Sequence, residues 1–529
     1  MLMKVCLVQS NPILGNLTQN FNWLKTQIKK QDADLFIAPE MALLGYPADD
    51  LISDNFFIEK QQVLLEKFKS VLKKNQMLII GGVAVNKNER SNSAFLITKN
   101  KLNRQNKINL PNYGVFDEKR YFTAGKKIEI ISFNNKKILV LICEDFWDKK
   151  IEKFYTDKKI DLCVVINASP FEINKFSKRQ NRAIELTKKI KTPLIYLNMI
   201  GGQDDLVFDG ESFILNKESK LILRLNSFKT QVETLNLNKI NPTLAHKNNL
   251  EEELILNACI LGTRDYLRKN KINSVYIGLS GGIDSALVAF IASKAIAKHK
   301  VNCIMMRSKF TSNISCEDAR KLAKNLGVQY KNKDIMPIIN SINESLTLDF
   351  KNKQPDVTEE NIQARSRGLV LMALANKDKA VVLSTSNKSE SAVGYSTLYG
   401  DMVGAYAPLK DISKTKIYNI VNYINQKNKI IPQRIITRPP SAELKENQKD
   451  QDTLPDYAIL DRIIELFIDD GLNSHEIIKR GFKPQLVKKI VKLILGSEFK
   501  RRQSPPGPKI SRKAFGRERR FPITNNYLG

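Results

Sequence analysis

Cys143 closes the apolar run Ile138-Leu139-Val140-Leu141-Ile142 and is followed at once by Glu144, Asp145, Phe146 and Trp147. A thiol at the end of a buried strand, beside polar residues, is where an α/β fold exposes a nucleophile. Cys6 and Cys163 lie within apolar runs and read as core residues instead. Such a thiol needs a base, and histidine is nearly absent: only His246, His299 and His475 occur, none beside a cysteine or a carboxylate motif. Activation must therefore come from a carboxylate and a cation. Glu40, ending Leu35-Phe36-Ile37-Ala38-Pro39-Glu40, can take the thiol proton, and Lys107, after Arg104-Gln105-Asn106, can stabilise a tetrahedral oxyanion.

The second constellation is Ser280-Gly281-Gly282-Ile283-Asp284-Ser285, between the apolar run Val275 to Leu279 and a helical pattern from Ala286. Two glycines let the backbone turn tightly and bring its N–H groups to phosphate oxygens. The following helix offers its N-terminal dipole to an anion. Ser280 and Ser285 add hydroxyl donors, and Asp284 can hold a magnesium ion between phosphates. The bland alternative is a strand–turn–helix connection made of small residues, but six positions in this context favour a phosphate loop. No GxxxxGK[ST] loop is present, so ordinary kinase or GTPase chemistry is not supported.

Alternating elements must position both sets. Val5 to Val8, Leu35 to Ala38, Leu78 to Ile80, Ile138 to Ile142, Leu162 to Ile166 and Leu194 to Leu197 read as buried strands, with an amphipathic stretch such as Phe21 to Ile28 between. Residues 234–252 turn polar and lose periodicity, as a linker does. A second α/β unit follows: a helix over Glu253 to Leu267, the strand leading into the glycine turn, and further strands at Val301 to Met305 and Ala380 to Leu383. The final thirty residues carry nine Lys or Arg between Lys500 and Arg520 around Pro505-Pro506-Gly507-Pro508, and read as an extended basic tail.

The loop at 280–285 resembles the signature of ATP pyrophosphatases, and alone it fits several amide-forming or thiolating enzymes. The segments 360–367, 384–390, 399–404, 408–414 and 500–524 are similar, in order, to the motifs of NAD synthetases. That resemblance implies a parallel-sheet domain of the adenine nucleotide alpha hydrolase type. It assigns Ser280, Gly281, Gly282, Ile283, Asp284, Ser285 and Thr385 to ATP. It assigns Asn361, Arg365, Asp401 and Lys414 to deamido-NAD, and Asp284 and Glu390 to Mg2+. In the first half, Glu40, Lys107 and Cys143 resemble the catalytic set of the nitrilase superfamily, whose α-β-β-α sandwich suits the strand pattern. The stretches 45–51, 110–122 and 167–171 look like the glutaminase domain of glutamine-dependent NAD synthetases. This likeness implies Glu118 as a second carboxylate near the nucleophile and Tyr113, Glu144, Ser169 and Lys175 as glutamine contacts. It divides the chain into a glutaminase domain at 1–240, a linker at 241–252 and a synthetase domain at 253–529. It also implies ATP, glutamine and deamido-NAD as substrates and assembly into homo-oligomers.

Bulk composition narrows the remaining classes. At 529 residues, with 42% apolar and 26% charged side chains, the chain can build two or three soluble cores. No stretch approaches the roughly 18 apolar residues of a membrane span. The start interrupts its apolar run with Gln, Asn and Pro, unlike a signal peptide, and the expected location is the cytoplasm. Six cysteines without a CxxC pair make neither a disulfide framework nor a thiolate zinc site. The net charge of +30 admits nucleic acid. Its lysines, however, are scattered as on solvated faces, and anionic small substrates fit the charge equally well, so no nucleic-acid partner is expected.

Overall fold

The computed structural model describes residues 3–87, 89–237, 249–446 and 448–527. The chain divides into two compact units, Met1–Gln203 with Val207–Asn248, and Asn249–Gly529 with Asp204–Leu206.

The first unit stacks two six-stranded mixed sheets. One runs in the order Gln231–Asn236, Lys4–Gln9, Leu35–Ile37, Met77–Asn86, Glu89–Thr98, Leu102–Asn106. The other runs Leu221–Arg224, Phe213–Leu215, Leu194–Asn198, Leu162–Asn167, Lys136–Ile142, Ile130–Phe133. Their central strands are parallel and buried on both faces, which is why they read as unbroken apolar runs. Alternation still sorts the side chains. Val5, Leu7, Ile37, Ile79, Val140, Ile142, Val164, Ile166 and Leu197 share one core between the sheets. Leu139, Leu141, Cys163, Val165 and Tyr196 point to the opposite face, under Ala183 and Leu186 of helix Lys175–Ile190. Helices Leu17–Lys30 and Asn55–Val71 meet through Phe21 and Phe68, ring centres 4.7 Å apart. This is the expected α-β-β-α sandwich. The long hairpin of Met77–Asn86 and Glu89–Thr98 continues well past Ile80, where Gly81 and Gly82 interrupt the bulky apolar run and the facing residues Glu89 to Ser93 are polar.

The second unit holds a four-stranded parallel sheet in the order Gln329–Asp334, Val301–Arg307, Val275–Gly278, Val381–Val382. Successive strands diverge to either side of Val275–Gly278, so a crevice opens beyond its carboxyl end, the place where open α/β sheets bind ligands. Gln329–Asp334 was not expected. It is an edge strand of sequence Gln-Tyr-Lys-Asn-Lys-Asp and mostly exposed, so it lacks the apolar run of its neighbours. The leading helix starts at Glu251, two residues earlier than expected, while 241–248 of the expected linker lie outside the described residues. A separate core gathers Tyr457, Leu460, Ile463, Val487, Ile490, Val491 and Ile494 from the helices Tyr457–Ile464 and Pro484–Gly496.

The basic tail is not a loose extended arm. Lys500 and Arg501 end a short helix, and the Arg501 guanidinium lies 4.6 Å from the Phe515 ring centre while donating to the carbonyls of Ala392 and Ile494. Asp411 accepts the backbone N–H groups of Ile510 and Ser511. Arg502 and Lys509 pair with Glu498 and Glu518. The cations that suggested an arm are partly neutralised by the unit they pack on. Among the described residues, no helix is long and apolar enough to cross a membrane.

Candidate functional site

The thiol centre assembles at strand ends. Lys136–Ile142 pairs in parallel with Leu162–Asn167, and Cys143 follows immediately, its N–H donating to Ile166 O at 3.0 Å. Cys143 sits at φ 45°, ψ −98°, between the strand and the short helix Glu144–Trp147. A non-glycine residue held there costs on the order of 1–3 kcal/mol, a strain typical of elbows that present a reactive side chain. Glu40 leaves the end of Leu35–Ile37. Gly81 on the next strand permits this, since a Cβ there would stand 2.4 Å from Glu40 Cα.

Four expected side chains meet in this dry site: Glu40, Lys107, Glu118 and Cys143 are 1%, 1%, 3% and 5% exposed. Lys107 Nζ donates to Glu40 Oε1 and to Glu118 Oε1, each at 2.9 Å. Burial disfavours the Lys107 charge, but the Glu118 and Glu40 carboxylates and the Cys143 sulfur more than offset it and hold the ammonium well above its ordinary range. Burial raises the Glu118 carboxyl, against the pull of Lys107. Burial also pushes the Cys143 thiol well up; the Glu40, Glu144 and Glu118 charges add to this and Lys107 opposes it. The resting nucleophile is therefore a thiol, and attack requires a base in place.

Sequence reasoning missed three parts of this site. Tyr46 donates its hydroxyl to Glu118 Oε1 at 3.0 Å, Asn92 Nδ2 donates to Glu40 Oε1 at 2.7 Å, and the Ala168 N–H donates to Glu40 Oε2 at 2.8 Å. Tyr46 and Ala168 lie inside motifs already singled out; Asn92 carried no local signal. Of the expected glutamine contacts, Tyr113 is 59% exposed and donates its hydroxyl to Glu144 Oε1 at 2.8 Å. Ser169 is buried, its N–H bonded to Asn198 Oδ1 at 2.9 Å and its carbonyl accepting from Arg179. Lys175 opens the helix Lys175–Ile190, its Nζ 5.5 Å from the Trp147 ring centre.

In the second unit one cavity lies at the carboxyl ends of the strands. Its wall includes Ser280, Gly281, Gly282, Ile283, Asp284, Ser285, Thr385, Glu390, Asp401 and Lys414. Gly281 adopts φ +81°, and a Cβ there would stand 2.5 Å from Ser315 O, so both conformation and space require glycine. The helix begins at Ile283, three residues before the expected start, which places Asp284 in its first turn. Lys414 Nζ bridges two carboxylates, Asp284 Oδ2 at 2.5 Å and Glu390 Oε1 at 3.3 Å, and Asn387 Nδ2 donates to Asp284 Oδ1 at 2.8 Å. Burial raises the Glu390 carboxyl to about 8, Lys414 opposes this, and Asp284, Asp450 and Asp401 reinforce it. Burial likewise raises the Asp401 carboxyl.

Two expected residues do not reach the wall. Asn361 accepts from Thr397 Oγ1 at 2.8 Å and so stands behind a lining residue, whereas Arg365 is exposed, its Nε donating to Leu398 O. Arg367, two positions on, lines the cavity instead and donates to Met306 O and Ser308 Oγ. Asp450, Tyr418, Arg438 and Glu443 also line it and were not foreseen, since they come from segments without a compact motif.

Residues 4–243 match the carbon-nitrogen hydrolase family and residues 255–504 the NAD synthase family. Over 538 residues the chain is 43% identical to the glutamine-dependent NAD(+) synthetase of Acinetobacter baylyi, covering 99% of this chain and 98% of that protein. This chain belongs to the glutamine-dependent NAD(+) synthetases. The same family name attaches to a Thermotoga maritima relative, 37% identical over 569 residues and 99% of both chains. Among solved structures, the glutamine-dependent NAD+ synthetase of Acinetobacter baumannii in complex with ADP superposes with a TM-score of 0.80 at 39% identity, covering 99% of each chain. As a member of this family the chain is a carbon-nitrogen ligase with a nitrilase-like unit and an NAD synthase unit.

Proposed function

We propose that this enzyme amidates deamido-NAD to NAD with ATP, drawing the nitrogen from glutamine and releasing glutamate, AMP and pyrophosphate. The observation that carries the reading is the presence, in one chain of this family, of a buried Glu40–Lys107–Cys143 cluster and a phosphate loop opening on a cavity. In the first unit, Cys143 Sγ attacks the side-chain amide carbon of glutamine as Glu40 takes the thiol proton. Lys107, kept charged by its two carboxylates, stabilises the oxyanion, and Glu40 returns the proton to the departing ammonia. Water then cleaves the thioester to glutamate. Tyr113, Glu144, Ser169 and Lys175 are the side chains we assign to holding glutamine.

In the second unit, the deamido-NAD carboxylate attacks the α-phosphorus of ATP, displacing pyrophosphate, and ammonia displaces AMP from the resulting anhydride. The 280–285 loop and Thr385 cradle the triphosphate, and Asp401 and Lys414 face the acceptor; Asn361 and Arg365 act from outside the wall. Asp284 and Glu390 would hold Mg2+. The donor set fits, because two carboxylates converging on one ammonium suit a hard cation that usually takes one or two carboxylates plus substrate phosphates. Bound there, magnesium would shield the triphosphate and stabilise departing pyrophosphate. Among the described residues no cluster of three such ligands occurs, so water and substrate oxygens would supply the remaining ligands.

The test supplies purified protein with ATP, deamido-NAD and amide-15N glutamine. Labelled NAD with equimolar AMP is expected. AMP formation without label in NAD would break the link to glutamine.

A further inference from the structure

Asn92 stands in the thiol centre without a task in the chemistry above. It lies on strand Glu89–Thr98, fully buried. Its Nδ2 donates to Glu40 Oε1 at 2.7 Å and reaches Glu118 Oε1 at 3.3 Å. Lys107 Nζ donates to the same two oxygens, and the Asn92 carbonyl accepts the Lys107 N–H at 2.8 Å. One asparagine therefore touches the base through its side chain and holds the backbone of the residue that carries the cation.

The two oxygens of Glu40 are thereby made unequal. A carboxylate oxygen offers two lone-pair directions. Oε1 receives Lys107 and Asn92 and is filled. Among the described residues Oε2 receives only the Ala168 N–H, at 2.8 Å, and keeps one direction open. Lys107 alone would leave a lone pair free on either oxygen, and the base could accept a proton at the wrong one.

We propose that Asn92 is a positioning residue for glutamine cleavage, filling Glu40 Oε1 beside Lys107 so that the Cys143 proton is delivered to Oε2. The inference rests on the glutaminase reading above. As the Sγ–carbon bond forms, the S–H bond breaks, its proton passes to Oε2, and the carbonyl π pair moves onto oxygen. When the C–N bond breaks, that proton goes from Oε2 to nitrogen and ammonia departs. Asn92 remains neutral throughout, so it adds a donor without adding a second cation that would hold the proton off the base.

The test is a double-mutant cycle on the full-length enzyme, reading steady-state glutaminase kinetics, with ammonia-supported NAD synthesis and thermal melts as checks on folding. Asn92→Leu should lower kcat by about 10- to 100-fold, part of the usual general-base contribution, with KM for glutamine within about twofold. In a Glu40→Gln background the same substitution should change kcat by less than about twofold, because it acts through Glu40. If Asn92→Leu does not fold, Asn92→Ala, which imposes no bulk, carries the cycle to the same decision. Equal losses in both backgrounds, or a rise in KM with kcat unchanged, would overturn the proposal. A wild-type enzyme that cannot hydrolyse glutamine at all would remove the underlying reading, and this inference with it.

Discussion

The thiol centre keeps its charges dry and paired with one another, whereas the cavity of the second unit turns its carboxylates and lysine towards an open volume. In the first, Lys107 has both of its carboxylate partners before any substrate arrives, and all four central side chains are at most 5% exposed. In the second, Lys414 bridges Asp284 and Glu390 on a wall shared with the glycine loop. The difference follows from the ligands each must take. A small neutral amide is cleaved by preorganised groups in low dielectric, where one misplaced donor is costly. A polyanionic nucleotide brings its own charge, so that site must present loops and exchangeable counter-charges.

The sharpest way to break the comparison is to silence one centre at a time. Cys143→Ala should abolish glutamine-supported NAD formation and keep ammonia-supported formation. Asp284→Asn should cut synthesis by at least about 100-fold with either nitrogen source, as losing an electrostatic partner of the transferring phosphate does, while basal glutamine hydrolysis survives. Parallel assays with glutamine and ammonium check both; a Cys143→Ala enzyme equally dead with ammonium would unseat the nucleophile.

A smaller effect is expected from the supporting pair. Glu40→Gln and Lys107→Ala should each lower glutaminase turnover by about 100-fold or more, with ammonia-supported synthesis as the reference. Should either retain wild-type turnover, the thiol would have to be activated by something else.

The pH behaviour of the thiol sharpens the contrast further. Because burial and three carboxylates push Cys143 above the ordinary thiol range, the anion is the minor form at neutral pH and grows only as pH climbs beyond that range. Alkylation by iodoacetamide without glutamine should thus be slower at pH 8 than for a free cysteine peptide and still be rising above pH 9. A plateau below pH 8, followed by mass spectrometry of the Cys143 peptide, would contradict this.

The mildest prediction concerns the tail. Arg501→Ala removes a buried guanidinium from Glu498, two carbonyls and the Phe515 ring, and should destabilise the second unit by about 3 kcal/mol, the scale for breaking a buried pair. Denaturant unfolding would measure it. Since Arg502 and Lys509 also have acidic partners, RNA binding should remain weak and unchanged by removal of residues 500–529; tight, salt-sensitive binding lost on deletion would reverse that view.

Much of both centres was legible because their chemistry is written in short contiguous strings at strand ends. Cys143 and Glu40 each close an apolar run, and the phosphate loop needs glycine, serine and aspartate within six positions of one turn. Buried parallel strands were readable for the same reason: a strand apolar on both faces leaves an unbroken run. The polar edge strand Gln329–Asp334 left no such trace. The basic tail read as extended because the acceptors that fold it back, Asp411 for the Ile510 and Ser511 N–H groups and Asp470 for Arg512, lie far away in the sequence.

What the sequence by itself determined, then, was a set of candidate reacting groups and the order of the elements that carry them. The tertiary structure alone decided which atoms meet. Asn92 reaches Glu40 across 52 positions, Ala168 across 128, and Lys414 spans 130 residues to Asp284. It also decided that Arg367, not Arg365, faces the cavity. Local pattern reflects backbone preference and burial period. Hydrogen bonds of a few ångströms between distant segments depend on register and packing, which no single stretch of sequence encodes.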